Sequence, residues 1–362
     1  MSLLVEMNDK AMALGIPLSV HIDVTYRCNE RCVHCYLDHD DKGEMTTAEI
    51  KGILDQLAEA GVFFLTFSGG EVFMRRDFLE LVEYARRLTF NVKIKTNGVM
   101  IHEAEARRLR ELGVEQVQLS VYSHRPEVHD AITKLPGSLK RTIDSIRFLK
   151  SQGLKVTMSN VLMTVNRQDQ AGTHALAKKL GVSYSLDPTV TPKLDGDESI
   201  LRLRVRGHNL HEIFNDPELV GDVEEFCAAP PPDDDVMEGY SCSAGHTACY
   251  INPYAEVFPC VQFQLPTGNL RRQKFADIWY RSPQMNEVRS IRVKDLTVCS
   301  SCSHAGTCTR CPGLAYAEGS MRGPSSADCD TSFHRTGIPS ANMLRKASAA
   351  QAPLVQILPM MA

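Results

Sequence analysis

The sequence lacks any long hydrophobic run. No apolar stretch reaches about 18 residues, the length that a membrane-spanning helix needs, and residues 1–7 are too short, and with Glu6 too polar, for a signal peptide. A strong net charge is also absent, because the 362 residues carry a formal charge of -4 at pH 7. Nucleic acids and anionic membranes are usually bound through a basic surface. We therefore expect a cytosolic (cytoplasmic) protein with neither a nucleic-acid nor a membrane partner.

The sequence also lacks an internal repeat of fixed period, which solenoids and propellers show. Its composition has no strong bias, since 43% of the residues are hydrophobic and 23% are charged, values that are ordinary for globular proteins. A chain of this length can form one large domain and a smaller one. Composition alone therefore predicts a globular protein and gives no indication of its chemistry.

Cysteine is the residue that stands out. The chain has 12 cysteines, and nine of them follow residue 226. In a cytosolic protein so many cysteines favour metal ligation over disulfides. The first three, Cys28, Cys32 and Cys35, come soon after the apolar run 18–24, with three and then two residues between them. That spacing lets three thiolates turn inward on one loop and hold a metal cluster.

The odd number of cysteines in this loop indicates the kind of metal centre. A structural zinc site takes four ligands, and a 4Fe-4S cluster is usually held by four thiolates. Three thiolates on such a cluster leave one iron open for a substrate or cosubstrate, much as a catalytic zinc keeps one position for water. A zinc loop that lacks one ligand and a set of three buried thiols are the alternatives.

The segment from residue 18 to residue 186 alternates short β-rich runs with helical patterns. The predicted strands are 18–24, 63–67, 91–95, 115–121, 154–161 and 182–186. The predicted helices are 46–60, 78–88, 102–112, 139–152 and 168–180, the first opened by a capping box of Thr46 and Glu49. This alternation predicts an α/β fold with a parallel sheet, either doubly wound or curled short of the closed eight-stranded barrel. In both cases ligand groups collect at the carboxyl ends of the strands.

Two motifs at predicted strand ends resemble one family. The cysteine loop follows the first strand, and Ser68-Gly69-Gly70-Glu71 follows the second. In this order they resemble the radical S-adenosylmethionine (SAM) enzymes. The resemblance implies an open, partial (β/α)6 TIM-like barrel and a SAM-binding 4Fe-4S cluster on Cys28, Cys32 and Cys35. In that family SAM chelates the open iron and is cleaved to a 5′-deoxyadenosyl radical, which abstracts hydrogen from the substrate.

The resemblance also implies contacts to SAM. Gly69, Gly70 and Glu71 would bind its methionine amino group, and Ser120 would meet its ribose or carboxylate. His34, at a position that is usually aromatic, would pack near the adenine together with Tyr36. Asn97, at the end of the third strand, and Asn160, in the fifth, are further candidates for contact with SAM. Tyr122, His124 and His129, which follow the fourth strand, are candidates for the lining of the cavity. Lys134 would stand in for an arginine that many relatives carry where this chain has Thr133; no catalytic acid or base is assigned.

The later cysteines resemble a SPASM domain, which extends radical SAM peptide-modifying enzymes and holds two auxiliary 4Fe-4S clusters. By match to that domain, the nearer cluster would be held by Cys242, Cys249, Cys260 and Cys311. The farther cluster would be held by Cys299, Cys302, Cys308 and Cys329. A pair of zinc sites is the alternative, because Cys-x2-Cys pairs serve zinc equally well. Cys227 is left over, and we interpret it as a buried thiol.

These motifs and the changes in composition between them predict five segments. They are an N-terminal lead-in of residues 1–17, a radical SAM partial barrel of residues 18–187, a bridge of residues 188–240, a SPASM-like cluster domain of residues 241–335 and a C-terminal tail of residues 336–362. The bridge is turn-rich, with a possible short helix at 209–214 and a stiff acidic loop at 230–235. The tail has no charged residue after Lys346 and would either dock on the body or be disordered.

The combination of a SAM core with a SPASM-like domain predicts an oxidoreductase that modifies a ribosomally made precursor peptide, by a crosslink, a thioether, decarboxylation or epimerisation. The auxiliary clusters would take part in electron transfer. A tetrapyrrole decarboxylase of haem biosynthesis is an alternative, with Arg202, Arg204 and Arg206 alternating along a strand-like run. A third hypothesis is a non-enzymatic metal-cluster scaffold.

Two protein partners follow from the peptide-maturase hypothesis. The lead-in is too short for a peptide-recognition domain, so a separate small leader-peptide-binding protein is expected. An external electron donor of the flavodoxin or ferredoxin type is expected to reduce the SAM-binding cluster.

Overall fold

The structure is a computed structural model that describes residues 3–40 and 42–351. Contacts within the chain divide it into two units. The first unit combines the residues up to Val205 with Cys242–Ser290, and the second combines Arg206–Ser241 with the residues from Ile291 onward. Among the described residues no helix is both long enough and apolar enough to cross a membrane.

The strands all lie in the first unit and form one nine-stranded sheet. They are β1 (Ser19–Asp23), β2 (Phe64–Ser68), β3 (Asn91–Thr96), β4 (Gln116–Ser120), β5 (Lys155–Val161), β6 (Ser183–Asp187), β7 (Ala248–Ile251), β8 (Glu256–Phe258) and β9 (Gly268–Asn269). The order across the sheet is β6-β5-β4-β3-β2-β1-β7-β8-β9. The strands β1 to β6 are parallel neighbours in sequence order, and the sheet does not close. The predicted open partial barrel is therefore confirmed.

Helices of the first unit cover this sheet, and the second unit contains further, mostly short helices. They are α1 (Leu3–Leu14), α2 (Thr47–Glu59), α3 (Phe78–Arg87), α4 (Glu103–Glu111), α5 (Pro126–Thr133), α6 (Ser138–Ser151), α7 (Gln170–Leu180), α8 (His208–Phe214), α9 (Pro217–Val220), α10 (Val223–Cys227), α11 (Asp234–Glu238), α12 (Phe275–Arg281), α13 (Pro283–Ser290), α14 (Pro312–Ala317), α15 (Ser326–Thr336) and α16 (Ala341–Gln351). Each strand and helix predicted between residues 18 and 187 is present within two residues of its predicted ends. The capping box of Thr46 and Glu49 at the start of α2 is present as well.

Three features of the chain differ from what the sequence pattern predicted. The helix α5 was not predicted, although Pro126 at its first position is a helix-start signal. The arginine run is not a strand, because Ser199–Leu203 forms a 3-10 turn and the Arg204 Nε donates to the Val190 carbonyl at 2.7 Å. The acidic loop continues into α11, whose first turn is capped by Asp233. In the tail, α16 is described and residues 352–362 lie outside the described residues.

The segment after Cys242 continues the barrel sheet. The strand β7 pairs in parallel with β1, with Val20 opposite Cys249, and β8 and β9 then add antiparallel strands. The unpaired edge that β1 would otherwise present is thus covered. Residues 242–290 therefore share a sheet with the residues up to 205, whereas the sequence pattern had placed a domain boundary at residue 241.

The same segment also completes the hydrophobic core. Phe275 and Trp279 of α12 are fully buried in the cluster that contains Leu54 of α2 and the barrel strands. The indole Nε1 of Trp279 donates to the Gly15 carbonyl at 2.7 Å, and the Arg289 guanidinium lies 4.3 Å from its ring centre. The core of the first unit is thus built from residues on both sides of the 206–241 segment.

We predict that Trp279→Ala lowers the free energy of unfolding of the first unit by about 3–5 kcal/mol, because it leaves a cavity in a fully packed core. Tyr280 is the matched control, since its side chain is 48% exposed and Tyr280→Ala should change that free energy by only about 0.5 kcal/mol. Anaerobic urea unfolding followed by circular dichroism measures both. Equal effects of the two substitutions would contradict the placement of α12 in the core.

Candidate cofactor-binding site

The Gly-Gly turn after β2 packs directly on the backbone that leads into the cysteine loop. The Gly70 N–H donates to the Thr25 carbonyl at 2.8 Å. A Cβ on Gly69, where φ is +140°, would lie 2.2 Å from the Thr25 oxygen, and one on Gly70 would lie 2.4 Å from the Arg27 oxygen. Side-chain atoms do not fit at such distances. The two glycines are thus required by the approach of two backbone segments to each other, and the turn fixes where the loop begins.

Glu71 joins this turn to the end of β3. Its buried carboxylate accepts from the Thr96 hydroxyl at 2.8 Å, from the Asn97 N–H at 2.8 Å and from the Phe73 N–H at 3.1 Å. Burial raises the pKa of this carboxyl, and the hydrogen bonds oppose the rise. The sequence prediction made Glu71 an acceptor for a ligand ammonium group. The structure instead turns its side chain toward β3, and Glu71 is not among the residues that line the cavity described below.

The cysteine loop is also held from its other side, by α5. The Arg31 N–H donates to the Thr133 carbonyl and the Val33 N–H to the Ile132 carbonyl, both at 3.0 Å. Thr133 is itself buried, and its hydroxyl lies 2.8 Å from that of Ser138. A helix that the sequence pattern did not predict therefore sets the position of the loop.

The three thiols of the loop converge on one cavity. Burial raises the pKa of the Cys28 thiol to about 12, and the nearby carboxylates and Cys35 add to the rise. Burial likewise raises the pKa of Cys32, where Glu30 and the other two thiols add to the rise. Burial also raises the pKa of Cys35, which the nearby Arg31 opposes. Such thiols need a nearby positive charge to ionise, and a ligated iron supplies one. The loop thus fits a metal cluster.

The arrangement of possible ligands bears on the choice between a cluster and a single metal ion. Among the described residues, no three His, Cys, Asp or Glu side chains lie close enough together to hold one metal ion. A zinc ion would draw its cysteine ligands to about 2.3 Å from one centre. A cluster of several irons holds its thiolates farther apart, so the absence of a single-ion group among the described residues is compatible with a cluster.

A cavity of about 370 Å³ opens at the carboxyl ends of the barrel strands. It brings together the three loop cysteines and most of the predicted SAM contacts. Those that line it are His34, Tyr36, Gly69, Gly70, Asn97, Ser120 and Tyr122. Five predicted residues are not part of its lining: Glu71, His124, His129, Lys134 and Asn160. Lys134 is exposed, in a left-handed conformation with φ of +58° at the end of α5.

Aromatic rings form one wall of the cavity. The His34 ring meets the Tyr122 ring edge-on, with centroids 4.7 Å apart, and Tyr122 stacks on His129 at 5.5 Å. Burial lowers the pKa of both histidines to about 4, so both rings are neutral near pH 7. The Nδ1 of His129 accepts from the Tyr122 N–H at 3.1 Å. His129 therefore supports the wall from behind, while His34 and Tyr122 face the cavity.

The two predicted asparagines have different surroundings. The Asn97 amide donates to the Asn29 side chain at 2.6 Å and lies 3.9 Å from the Cys28 sulfur, so it contacts the cysteine loop. Asn160 is fully buried, donates to the Tyr184 hydroxyl at 3.0 Å and accepts from Asn166 at 3.2 Å. Asn97 is thus a site residue, and Asn160 belongs to the polar core.

Sequence reasoning missed Glu30, which lies inside the loop between two of the cysteines. Its side chain is only 3% exposed and lines the cavity. One carboxylate oxygen accepts from the Cys32 sulfur at 3.4 Å, and the other, Oε1, has no partner among the described residues. Burial raises its pKa to about 7. A charged residue between closely spaced cysteines was a signal that could have identified it.

The sequence analysis also missed a pair of polar side chains on β1. His21 lines the cavity, and its Nε2 bonds the buried Asp23 carboxylate at 3.0 Å. Asp23 also accepts from the Tyr250 hydroxyl at 2.8 Å, which lies 2.9 Å from that of Tyr26. The alternation of β1 places His21 and Asp23 on the same face of the strand, and that face lines the barrel interior.

Three of the four cysteines predicted for the nearer auxiliary cluster lie in the first unit. Cys249 is on β7. Burial raises the pKa of Cys249 and of Cys260, and Cys260 adds to the rise at Cys249 while Cys242 adds to it at Cys260. The residues next to Cys260, Val261 and Gln262, line the cavity at the strand ends. The fourth predicted ligand, Cys311, belongs to the second unit, and its part in this cluster stays a prediction.

The four cysteines predicted for the farther cluster surround a cavity of about 250 Å³ in the second unit. They are Cys299, Cys302, Cys308 and Cys329. Cys311 does not line this cavity; its sulfur accepts from the Leu314 N–H at 3.5 Å at the start of α14. Cys227 is half-buried, with its sulfur 3.7 Å from the Phe214 carbonyl. The residues present thus fit a cluster in this second cavity.

Comparison with known proteins agrees with this arrangement. The radical SAM superfamily model matches residues 22–177, and the model of an iron-sulfur cluster-binding domain, SPASM, matches residues 242–312. The AdoMet-dependent heme synthase of Methanosarcina barkeri is 26% identical over 328 residues, which cover 83% of this chain and 93% of that protein. Mycofactocin maturase MftC of Mycobacterium tuberculosis is 29% identical over 309 residues, 82% of this chain and 78% of that protein.

The fold is also found among solved structures. The crystal structure of Streptococcus suis SuiB bound to precursor peptide SuiA superposes with a TM-score of 0.70, covering 90% of this chain and 78% of SuiB at 19% identity. SuiB has also been crystallised bound to S-adenosylmethionine, with a TM-score of 0.69 to this chain at 20% identity. At these identities the likeness concerns the fold.

We predict that Gly70→Ala removes the metal from the cysteine loop, because the new Cβ would lie 2.4 Å from the Arg27 oxygen and displace the start of the loop. Iron bound per chain after anaerobic reconstitution should fall by about four, the content of one cluster. The matched control is Gly52→Ala in α2, where the new Cβ has no neighbour within 4 Å. That variant should keep its iron and gain about 0.5–1 kcal/mol of stability. Full iron content in Gly70→Ala would show that the loop does not depend on this contact.

Proposed function

We propose that this chain, which carries a radical SAM domain and a C-terminal iron-sulfur cluster-binding domain, modifies a ribosomally made precursor peptide. In this proposal a 5′-deoxyadenosyl radical derived from SAM abstracts hydrogen from the peptide, and the modification is a crosslink, a thioether, decarboxylation or epimerisation. The observation that carries the proposal is the single cavity that joins the three loop cysteines, the Gly-Gly turn and Ser120.

Each part of the cavity has a role in this proposal. Cys28, Cys32 and Cys35 hold the SAM-binding 4Fe-4S cluster, which when bound supplies the electron for cleavage of the sulfonium. The backbone of Gly69 and Gly70 faces the methionine end of SAM, and Ser120 offers a hydroxyl to its ribose or carboxylate. The neutral His34 and Tyr122 rings give an apolar wall against which the adenine packs.

A peptide substrate is supported by two observations. Mycofactocin maturase MftC and SuiB, which is solved with precursor peptide SuiA, are among the similar proteins. The cavity also extends past the cysteine loop to hydroxyl, amide and carboxylate groups that can hydrogen-bond a peptide segment. These are Ser159, Ser185, Asp187, Thr189, Thr191 and Gln262. Because Gln262 follows Cys260, the nearer auxiliary cluster of this proposal would adjoin the substrate space and take part in electron transfer.

A tetrapyrrole decarboxylase is the second candidate, because the heme synthase of Methanosarcina barkeri aligns with 83% of this chain. Several basic residues would be needed around the cavity to bind tetrapyrrole carboxylates. Among the described residues that line it, Lys95 is the single lysine or arginine. Arg202, Arg204 and Arg206 are not part of that lining. We therefore favour the peptide over the tetrapyrrole.

The remaining parts of the proposal concern where the protein works and with what. We propose a cytoplasmic enzyme that receives electrons from a flavodoxin or ferredoxin type of donor. A separate small protein would bind the leader segment of the peptide and present the rest to the cavity. Two auxiliary 4Fe-4S clusters complete the set of cofactors.

The proposed function is tested under anaerobic conditions. Reconstituted protein should hold about twelve irons, as three clusters require, and should release 5′-deoxyadenosine from SAM with a strong reductant. Short open reading frames beside the gene supply candidate peptides, and a mass change in one of them that requires SAM would support the proposal. A spectral change with added tetrapyrrole, together with its decarboxylation, would instead favour the second candidate. Iron without SAM cleavage would exclude both.

Glu30 gives a separate prediction about SAM binding. Glu30 lines the cavity, and its Oε1 has no partner among the described residues. SAM carries ribose hydroxyls and a cationic centre, and a charged hydrogen bond to one of these groups would contribute about 1.5–3 kcal/mol. Glu30→Gln should therefore weaken SAM binding about tenfold in equilibrium dialysis, with the iron content unchanged. Glu103→Gln, at an exposed position in α4, is the matched control. If both variants bind SAM like the unmodified protein, Glu30 does not contact it.

A further inference from the structure

Arg310 is a buried cation in the second unit, held in one orientation. Its side chain is only 6% exposed. The Nε donates to the Gly323 carbonyl at 2.9 Å, and the Nη2 donates to the Met321 and Gly323 carbonyls at 2.6 Å each. Carbonyl groups fix the guanidinium without neutralising its charge. A buried charge of this kind is costly unless an anion lies nearby.

The remaining nitrogen of this guanidinium shows where such an anion belongs. The Nη1 of Arg310 is buried and has no hydrogen-bond partner among the described residues. Arg310 lines the cavity of about 250 Å³ that the four cysteines surround, and its charge acts on the Cys299 thiol. Asp328 lines the same cavity and interacts electrostatically with Arg310, but it does not accept from Nη1. Its carboxylate accepts from the Cys311 N–H at 2.8 Å. The orphaned donor thus belongs to the cysteine cavity.

Other donors surround the same sulfurs. The Cys308 sulfur accepts from the Ser332 hydroxyl at 3.3 Å, and the Cys302 sulfur accepts from the Ala341 N–H at 3.4 Å. The Cys329 sulfur lies 3.8 Å from the Asn342 amide. Hydrogen bonds to the sulfurs raise the reduction potential of an iron-sulfur cluster. Each of these donors therefore favours a cluster with an added electron.

His304 is the other nitrogen-bearing side chain in this cavity that could donate to a cysteine sulfur. It is buried and lines the cavity, and its Nδ1 has no partner among the described residues. Its Nε2, however, lies 2.8 Å from the Ile338 carbonyl and must carry the hydrogen there. In a neutral ring the Nδ1 is then an acceptor and does not donate to a sulfur. Arg310 is thus the side chain that brings a positive charge to this cavity.

We propose that Arg310 donates through Nη1 to a 4Fe-4S cluster held by Cys299, Cys302, Cys308 and Cys329, and that it raises the reduction potential of that cluster. A cluster on four thiolates is an anion, and one added electron increases its negative charge. The fixed guanidinium stabilises the reduced form more than the oxidised form, so the cluster becomes a better electron acceptor. This inference rests on the proposed cofactors and not on the identity of the substrate.

The test is a redox titration of the reconstituted chain followed by electron paramagnetic resonance. Replacing Cys28, Cys32 and Cys35 by alanine removes the SAM-binding cluster, and adding Cys299→Ala and Cys329→Ala identifies the signal of the farther cluster by its loss. In the background that keeps this cluster, Arg310→Gln should lower its equilibrium constant for reduction about tenfold, which is about 59 mV for one electron. Arg310→Lys keeps the charge and should lower it less. Arg345→Gln, at an exposed position of the same unit, should have no effect.

A second measurement covers the case in which Arg310→Gln takes up no iron. Protein labelled with 15N-arginine and otherwise unmodified should show a hyperfine coupling between the reduced cluster and a guanidinium nitrogen. An unchanged potential in Arg310→Gln, or no such coupling, would overturn the role of Arg310. If Cys299→Ala and Cys329→Ala cost no iron, the cluster itself is absent from this cavity and the proposal fails at that step. Failure to find a peptide substrate leaves all of these outcomes unaffected.

Discussion

The structure of the site depends on one backbone contact, between the Gly-Gly turn after β2 and the segment Thr25–Arg27 after β1. The turn donates to that segment twice, from Gly70 at 2.8 Å and from Glu71 at 2.9 Å. Because the two backbones touch, the position of the cysteine loop is tied to the ends of two neighbouring strands. The Glu71 carboxylate adds hydrogen bonds to the end of β3. Three strands thus hold the loop before any cofactor is bound, which is the kind of preorganisation that a functional site requires.

Residues whose position is set by local spacing could be placed at the cavity from the sequence. Cys28, Gly70 and Ser120 occupy fixed offsets from strand ends, and a parallel sheet gathers those ends at one edge. Asn160 could not be placed in this way, because only the packing of its neighbours decides whether a polar side chain near a strand end faces a cavity or the core. Lys134 is similar, since its backbone conformation at the end of α5 directs its exposed side chain.

The sequence pattern also missed pairings between distant segments. The strand β7 has only four residues, and its pairing with β1 joins positions more than 220 residues apart. Periodicity in a short window carries no information about such a partner. The same limit explains why Trp279 could not be assigned to the barrel core, although a lone buried tryptophan had to pack somewhere. Local patterns thus predicted the elements and the loop, while long-range pairing determined which segments share a unit.

The two cysteine cavities differ in the charge that surrounds them. Burial raises the pKa of both the Cys28 and the Cys299 thiols. Glu71 and Glu30 add to the rise at Cys28, whereas Arg310 opposes it at Cys299. Negative charge near a cluster opposes an added electron, and positive charge favours it. In the proposed arrangement the SAM-binding cluster would therefore be the stronger reductant and the farther cluster the better acceptor. Cleavage of a sulfonium needs a strong reductant, and oxidation of a substrate radical needs an acceptor, so the charges of this chain assign each task to the cavity that suits it.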